Sequence, residues 1–217
     1  MLAVKLKDGN IKQVEEGTTF LDVAESISPR LAKNSMAALF NNQLVDLTAP
    51  ITENGELEFI DFDHDNGRKV YRHSSAHILA QAVKRLWPDT KLAIGPAIDK
   101  GFYYDFDTEH IFSPEDFALI EAEMEKIIKE NHRIERREIS REEALKLFRE
   151  KGEIYKVELI EDLPEDAVIS IYTQGEFTDL CAGPHVPATG KVKNIKCMSV
   201  AGAYWRGNEK NKMLQRI

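Results

Sequence analysis

Cysteine is scarce: Cys181 and Cys197 are the only two in 217 residues, too few for a disulfide framework and in keeping with a reducing compartment. Long apolar runs are missing as well, which leaves no candidate for a membrane-spanning helix. The opening residues lack the basic start and apolar stretch of a secretory signal. These absences predict a soluble, cytoplasmic protein with no membrane partner. Excess positive charge is also missing. Lysine and arginine number 29 against 37 aspartate and glutamate, a formal net charge of -8. The surface as a whole therefore does not attract nucleic acid, and any polyanion must find a local basic patch. Internal repeats and low-complexity tracts do not occur.

Apolar material is present in quantity, at 42% of residues, enough at this length for one good core or two smaller ones. Two unequal domains fit best. Charge is distributed unevenly between the two ends. Residues 1–65 hold twelve carboxylates against five basic side chains, whereas residues 191–216 hold seven basic side chains and only Glu209 as an acid. A phosphate backbone would dock at that basic end, with Lys193, Lys196 and Arg206 as candidate contacts. The plainer explanation is that these side chains keep an exposed end solvated.

Residues 2–7 alternate apolar and polar, Asp8-Gly9-Asn10 signals a tight turn, and residues 11–14 return, so a hairpin opens the chain. Thr19 with Asp22 three positions on is a capping-box start for a helix carrying Phe20, Val23, Ala24 and Ile27, stopped by Pro29. Strands follow at 36–40, 43–45 and 57–62, with Asn41-Asn42 as a turn. The order β-β-α-β-β within about sixty residues suits a small ubiquitin-like β-grasp domain over 1–62, and the polar run Asp63-His64-Asp65-Asn66-Gly67 reads as a linker (63–67).

The larger domain, 68–217, opens with a helix whose apolar stripe is Ala76, Leu79, Val83 and Leu86, with His73, His77, Ala80 and Lys84 on a neighbouring stripe and Pro88 ending the pattern. The histidines are thus expected to flank the core rather than fill it. Residues 101–107 alternate as a strand that puts Tyr103 and Tyr104 on opposite faces. Ser113-Pro114 starts a long charged helix running through Glu130, and Ser140 caps another that ends near Gly152. Strands are expected over 154–160, carrying Lys156, and over 167–172. Helices and strands do not alternate regularly, so the fold class is α+β with a mostly antiparallel sheet.

The chemistry concentrates in two segments. His73-Ser74-Ser75-Ala76-His77 sets two imidazoles one helical turn apart, and about a hundred residues later comes Cys181-Ala182-Gly183-Pro184-His185. A four-residue spacing points both rings off one face, and the Cys/His loop brought opposite completes a compact set of nitrogen and sulfur donors. Such a set either grips a metal or does polar chemistry on a small substrate. Taken singly, each member has an ordinary explanation. A lone helical histidine is usually satisfied or solvated, Lys156 is a surface lysine, Tyr103 or Tyr104 is a core aromatic, and Asp179 is a turn former. Cys197 is expected to be a packing residue.

These residues, with Gly101-Phe102-Tyr103-Tyr104-Asp105, Asp179-Leu180-Cys181-Ala182-Gly183-Pro184-His185-Val186 and Ala203-Tyr204-Trp205-Arg206-Gly207, resemble the amino-terminal region of bacterial threonyl-tRNA synthetase. The first sixty residues look like its TGS domain and the remainder like its editing domain. The resemblance implies that the stretch is a fragment, monomeric by itself, of an intact homodimer whose ATP-using aminoacylation core lies outside it. It also implies hydrolysis of serine mischarged onto threonine tRNA. A pocket built for threonine rejects the smaller serine by only about 1–3 kcal/mol, so a second sieve must remove the error. By similarity, His73 and Lys156 would handle the water and the ribose hydroxyl, and Asp179 would hold the ammonium. Tyr103 and Tyr104 would line the substrate site, and His77, Cys181 and His185 would shape the pocket.

The resemblance further implies that editing requires no cofactor. The rival is a zinc site on His73, His77, Cys181 and His185, since the related alanyl-tRNA synthetase editing domain is similar in pattern and zinc-bearing. A basic residue is common in the family where Ala182 stands, so a phosphate contact from that loop is not expected. A different class of function is a non-catalytic RNA-binding module, which would not need His, Cys, Lys and Asp to converge.

Overall fold

A computed structural model describes residues 1–217. The first sheet is assembled from local signals. β1 (Leu2–Leu6) and β2 (Ile11–Val14) pair antiparallel across a turn where Gly9 adopts a positive φ. The Thr19 hydroxyl accepts from the Asp22 amide, and the Asp22 carboxylate accepts in return from the Thr19 amide, starting α1 (Phe20–Ile27) with both halves of the capping box in place. Pro29 does not merely stop that helix. It begins a second one, α2 (Pro29–Asn34), with Ser28 as N-cap, because proline is tolerated where a helix has no amide to satisfy. β3 (Ala37–Phe40) and β4 (Gln43–Val45) turn through Asn41 and Asn42, both left-handed. β5 (Gly55–Ile60) then returns parallel to β1, giving the order β2-β1-β5-β3-β4 of a β-grasp domain. Val4, Phe20, Val23, Phe40, Leu47 and Leu57 fill the space between sheet and α1, each worth about 1.5–3 kcal/mol of burial.

α3 (Asp65–Leu86) begins inside the segment expected to be a linker. His64 caps it, its Nδ1 accepting from the Asn66 amide, and Gly67 is pressed so closely on Asp61 that a Cβ would lie 1.7 Å from the Asp61 carbonyl oxygen. Every residue from Ser74 to Val83 is buried. The expected pair of stripes is therefore replaced by burial on all sides, and His77 sits within the core rather than beside it.

Short strands β6 (Lys91–Leu92), β7 (Ala97–Ile98), β8 (Gly101–Phe102) and β9 (Asp105–Asp107) follow, then α4 (Phe117–Glu130), β10 (Ile134–Ile139) and α5 (Arg141–Glu150). The strand expected over 101–107 is broken at Tyr103 and Tyr104, where the Tyr104 backbone instead exchanges hydrogen bonds with Ile217. The strand expected over 154–160 is a helix, α6 (Ile154–Asp162). Its buried positions, Tyr155, Lys156 and Ile160, recur at helical spacing, and seven residues of mixed polarity could not discriminate the two periods. β11 (Ile169–Gln174), β12 (Phe177–Leu180), β13 (Ala201–Tyr204) and β14 (Met213–Arg216) complete the chain. All strand pairs after α3 are antiparallel, in sheets ordered β10-β11-β12, β13-β14-β9-β6 and β7-β8.

The two domains share material. Ala37 of β3 belongs to the same apolar cluster as Val70 and Val192, with Met36 and Leu44 packed against it. The Lys191 ammonium donates to the carbonyls of Ala32, Lys33 and Ser35 at the end of α2. No helix is long and apolar enough to cross a membrane.

Candidate active site

Four elements converge on the α3 histidines. α3 supplies His73, Ser74 and His77; α6 supplies Lys156; β12 supplies Asp179; and the turn after β12 supplies Cys181 and His185. The Cys181 Sγ lies 3.3 Å from His73 Nε2 and 3.3 Å from His185 Nε2. The His185 Nδ1 is 3.0 Å from the Ser74 hydroxyl, which accepts from the Val186 amide. The ring centroids of His73 and His77 lie 4.3 and 4.2 Å from that of His185. One nitrogen, His77 Nδ1, is buried without a hydrogen-bond partner.

Behind the imidazoles is a charged set. Lys156 Nζ lies 2.7 Å from Asp179 Oδ1 and donates to the Tyr104 hydroxyl at 2.9 Å. That hydroxyl donates to Asp179 Oδ2 at 2.5 Å. Tyr104 is fully buried, and Lys156 and Asp179 are buried almost as completely, so only His73 and Cys181 of this group face solvent in part.

Burial lowers all three imidazoles: His73 below its ordinary value, His77 to about 3, and His185 well below. His77 Nε2, although 3.5 Å from Asp179 Oδ2, is therefore neutral and does not form an ion pair. Lys156 is the partner of that carboxylate. Burial opposes ionisation of Asp179, but the Lys156 charge and the hydrogen bonds from Lys156 and Tyr104 hold its carboxyl below the usual range. Burial pushes the Cys181 thiol up to about 12, so at neutral pH it is a protonated donor rather than a nucleophile.

The expected residues divide. His73, His77, Lys156, Asp179, Cys181, His185 and Tyr104 come together; Tyr103 does not. Its ring faces the other way, under the Arg216 guanidinium at 3.7 Å. The proposed RNA contacts are scattered. Lys193 donates to the Gly190 carbonyl, Lys196 pairs with Glu121 on α4, and Arg206 pairs with Asp162 on α6. A large cleft lies between the domains, with Lys33, Arg133 and Lys191 on its walls, and excludes the histidine cluster; the site is marked by its chemistry rather than by cavity size. Cys197 is buried in the core, as expected of a packing residue.

Sequence reasoning missed three residues. Ser74, though part of the histidine segment, orients His185. Tyr172 of β11 packs edge-on against the His185 ring at 4.6 Å between centroids. Asp46, from the first domain, accepts from the Tyr172 hydroxyl at 2.7 Å and the His185 amide at 2.8 Å. Ser74 lies inside the His73–His77 segment and could have been flagged by that position. Tyr172 enters through the register of β11 against β12, which sets it opposite Asp179, and nothing in the sequence near Asp46 marks it.

The donor set also suits a metal. Ligand atoms of His73, His77, Cys181 and His185 lie within 4.8 Å of one another, and tetrahedral zinc with bonds of roughly 2.0–2.3 Å needs donors about 3.3–3.8 Å apart. The two Cys181 separations already meet that spacing.

Comparison with known proteins places these features in context. Residues 2–61 match the TGS domain, and residues 169–217 match the threonyl and alanyl tRNA synthetase second additional domain. Over all 217 residues the chain is 64% identical to the threonine–tRNA ligase of Syntrophomonas wolfei and 60% identical to those of Carboxydothermus hydrogenoformans and Desulforamulus reducens. It covers 34% of each of those proteins, about a third of their length.

Proposed function

The chain belongs to the threonine–tRNA ligase family, and from that membership we propose that its second domain hydrolyses the ester joining serine to mischarged threonine tRNA. The observation that supports this most is the convergence of a partly exposed, neutral His73 with a buried Lys156–Asp179 pair. Binding alone would not need such a pair at the foot of an imidazole cluster. The partner would be tRNA, and the compartment the cytoplasm.

In the reaction, water adds to the ester carbonyl, the bond from that carbon to the ribose oxygen breaks, and the ribose oxygen takes a proton, releasing serine and tRNA. His73 is the group placed to move protons: its burial keeps it unprotonated at neutral pH, so it can accept from water and return the proton to the leaving ribose oxygen. Lys156 supplies positive charge near the developing oxyanion. Asp179 would bind the serine ammonium, as the resemblance implies, by sharing its carboxylate with Lys156; it is almost fully buried, so the ammonium must reach it past the partly exposed His73 and Cys181. Tyr104 has no exposed surface and acts by fixing that carboxylate. His77, Cys181 and His185 form the wall against which the side chain of the amino acid is measured.

A second reading is kept because four metal donors lie together: zinc held by His73, His77, Cys181 and His185. Held by all four, such an ion would be closed to water; held by three of them, it would leave one position for a water whose pKa it would lower toward neutrality. The deciding experiment is deacylation of Ser-tRNA(Thr) and Thr-tRNA(Thr) by the purified chain, with metal content measured on the same preparation. Selective loss of serine supports the proposal; equal rates would remove the sieve, and cleavage of neither would leave a binding module.

A further inference from the structure

Asp46 is an unexpected residue to find buried. It follows β4 in the β-grasp domain, is only 7% exposed, and has no ion-pair partner. Burial pushes its carboxyl upward, against the hydrogen bonds it receives. Arg136 on β10 acts on it through charge without forming an ion pair, and a buried acid so placed weakens a fold unless its hydrogen bonds compensate. Both side-chain hydrogen bonds come from the other domain. Oδ2 accepts from the Tyr172 hydroxyl and Oδ1 from the His185 amide. The β-grasp fold itself gains nothing from either contact.

The two donors are the residues that set the Cys/His turn. The His185 ring reaches Ser74 with one nitrogen and Cys181 with the other. The Tyr172 hydroxyl lies against Gly183, where a Cβ would come within 1.8 Å of it. Asp46 is itself held: Ala49 donates its amide to the Asp46 carbonyl, and the Leu21 amide donates to the Leu47 carbonyl next door, tying the segment to α1.

We propose that Asp46 is a positioning residue of the hydrolytic site: its carboxylate locks the turn from Cys181 to His185 through the His185 amide and the Tyr172 hydroxyl, making the β-grasp domain part of the site. The inference rests on the reading of that site as an esterase. The chemistry of its contacts depends on acceptor oxygens, so asparagine, which keeps one carbonyl oxygen, recovers much of what alanine loses. Removing Asp46 moves Cys181 and His185 without deleting any group that touches the ester.

The test uses the whole chain with Asp46→Ala, Asp46→Asn, Tyr172→Phe and, as a control, Lys191→Met, which cuts a different polar tie between the domains. Asp46→Ala should lower the single-turnover rate on Ser-tRNA(Thr) by about tenfold or more, as expected for displaced reacting groups, with half-saturation little changed. Asp46→Asn should restore most of that rate. Peptide mass spectrometry after iodoacetamide should find Cys181 alkylated several-fold faster in Asp46→Ala than in wild type, because a loosened turn exposes the thiol to solvent. Lys191→Met should lower the melting temperature but leave thiol reactivity unchanged. Wild-type deacylation and alkylation rates in Asp46→Ala would overturn the proposal, as would equal thiol acceleration in Lys191→Met, which would assign the effect to domain docking in general. If Asp46→Ala does not fold, Tyr172→Phe decides: faster alkylation supports the proposal, and an unchanged rate overturns it. If the wild-type chain cleaves no ester, the functional reading fails while alkylation still judges Asp46.

Discussion

Lys156 on α6 and Asp179 on β12 meet at 2.7 Å with both side chains almost wholly buried. Neither charge has water to fall back on, so each depends on the other. Lys156→Met should therefore cost on the order of 3–5 kcal/mol of stability, the usual consequence of stranding a buried charge, and should abolish hydrolysis. Lys156→Met with Asp179→Leu should recover stability without activity. Urea unfolding of the three proteins measures this, and a single variant as stable as wild type would contradict the coupling.

His73→Ala separates chemistry from architecture. His73 is partly exposed, so its loss should cost little stability, while deacylation should slow by about a hundredfold or more, the scale of a lost general acid or base. A variant with near wild-type turnover would move the proton-transfer role to another group.

Metal dependence gives a third outcome. In the preferred reading, chelator-treated protein keeps its rate on Ser-tRNA(Thr), and His77→Ala alters discrimination between serine and threonine without releasing metal. One zinc per chain, with hydrolysis lost on stripping and regained on zinc addition, would favour the second reading.

Stability should fall in mild acid. The His77 imidazole titrates at about 3 in the fold, against an ordinary value of 6.5. Between these values the unfolded chain takes up a proton that the folded chain refuses. Stability is thus at its full value above about pH 6.5 and declines as pH falls, by about 1.4 kcal/mol per pH unit for His77. His73 and His185, also lowered, add in the same direction, and Asp179, lowered from 3.8, adds again below about pH 4. Denaturant melts from pH 8 to pH 5 should show the loss; a flat profile would mean that the imidazoles are hydrated.

RNA docking by the basic end should be weak for each residue. Neutralising Lys193, Lys196 and Arg206 together should lower tRNA affinity and flatten the salt dependence by less than the full slope of about 0.9 per contact, because Glu121 and Asp162 already pair with two of the three. Unchanged affinity and slope would place the tRNA contact elsewhere.

Elements governed by neighbours in sequence were legible: the opening hairpin, the Thr19 and Ser140 caps, the Asn41-Asn42 turn and the helix from Phe117 to Glu130. The antiparallel α+β character was legible too, from the lack of regular alternation. α6 was not, since Ile154 to Ile160 carries no cap or breaker strong enough to choose a period, and Lys156 reads from sequence as a strand residue although it lies on a helix. The convergence of His73, His77, Cys181 and His185 could be anticipated from residue types and spacing. The part played by Asp46 could not, because 126 positions separate it from Tyr172 and 139 from His185, and nothing local marks it. Tyr103 and Tyr104 were indistinguishable as adjacent residues; a strand break, set by pairing with Ile217, sends one to the site and the other to Arg216.

The unbroken burial of α3 from Ser74 to Val83 has a bearing on how the domain tolerates change. An ordinary surface helix has a sacrificial side on which substitutions and small shifts are absorbed. Here every direction is occupied, by aliphatic packing on one side and by the imidazoles with their supports on the other. Inserting or deleting a single residue would turn the downstream helix by about 100°, driving Gln81 and Lys84 into aliphatic space and withdrawing His77 from Asp179. Deep mutational scanning across this segment should then lack the three-to-four-residue rhythm of tolerated positions seen in amphipathic helices, with permissive sites resuming only from Lys84 onward.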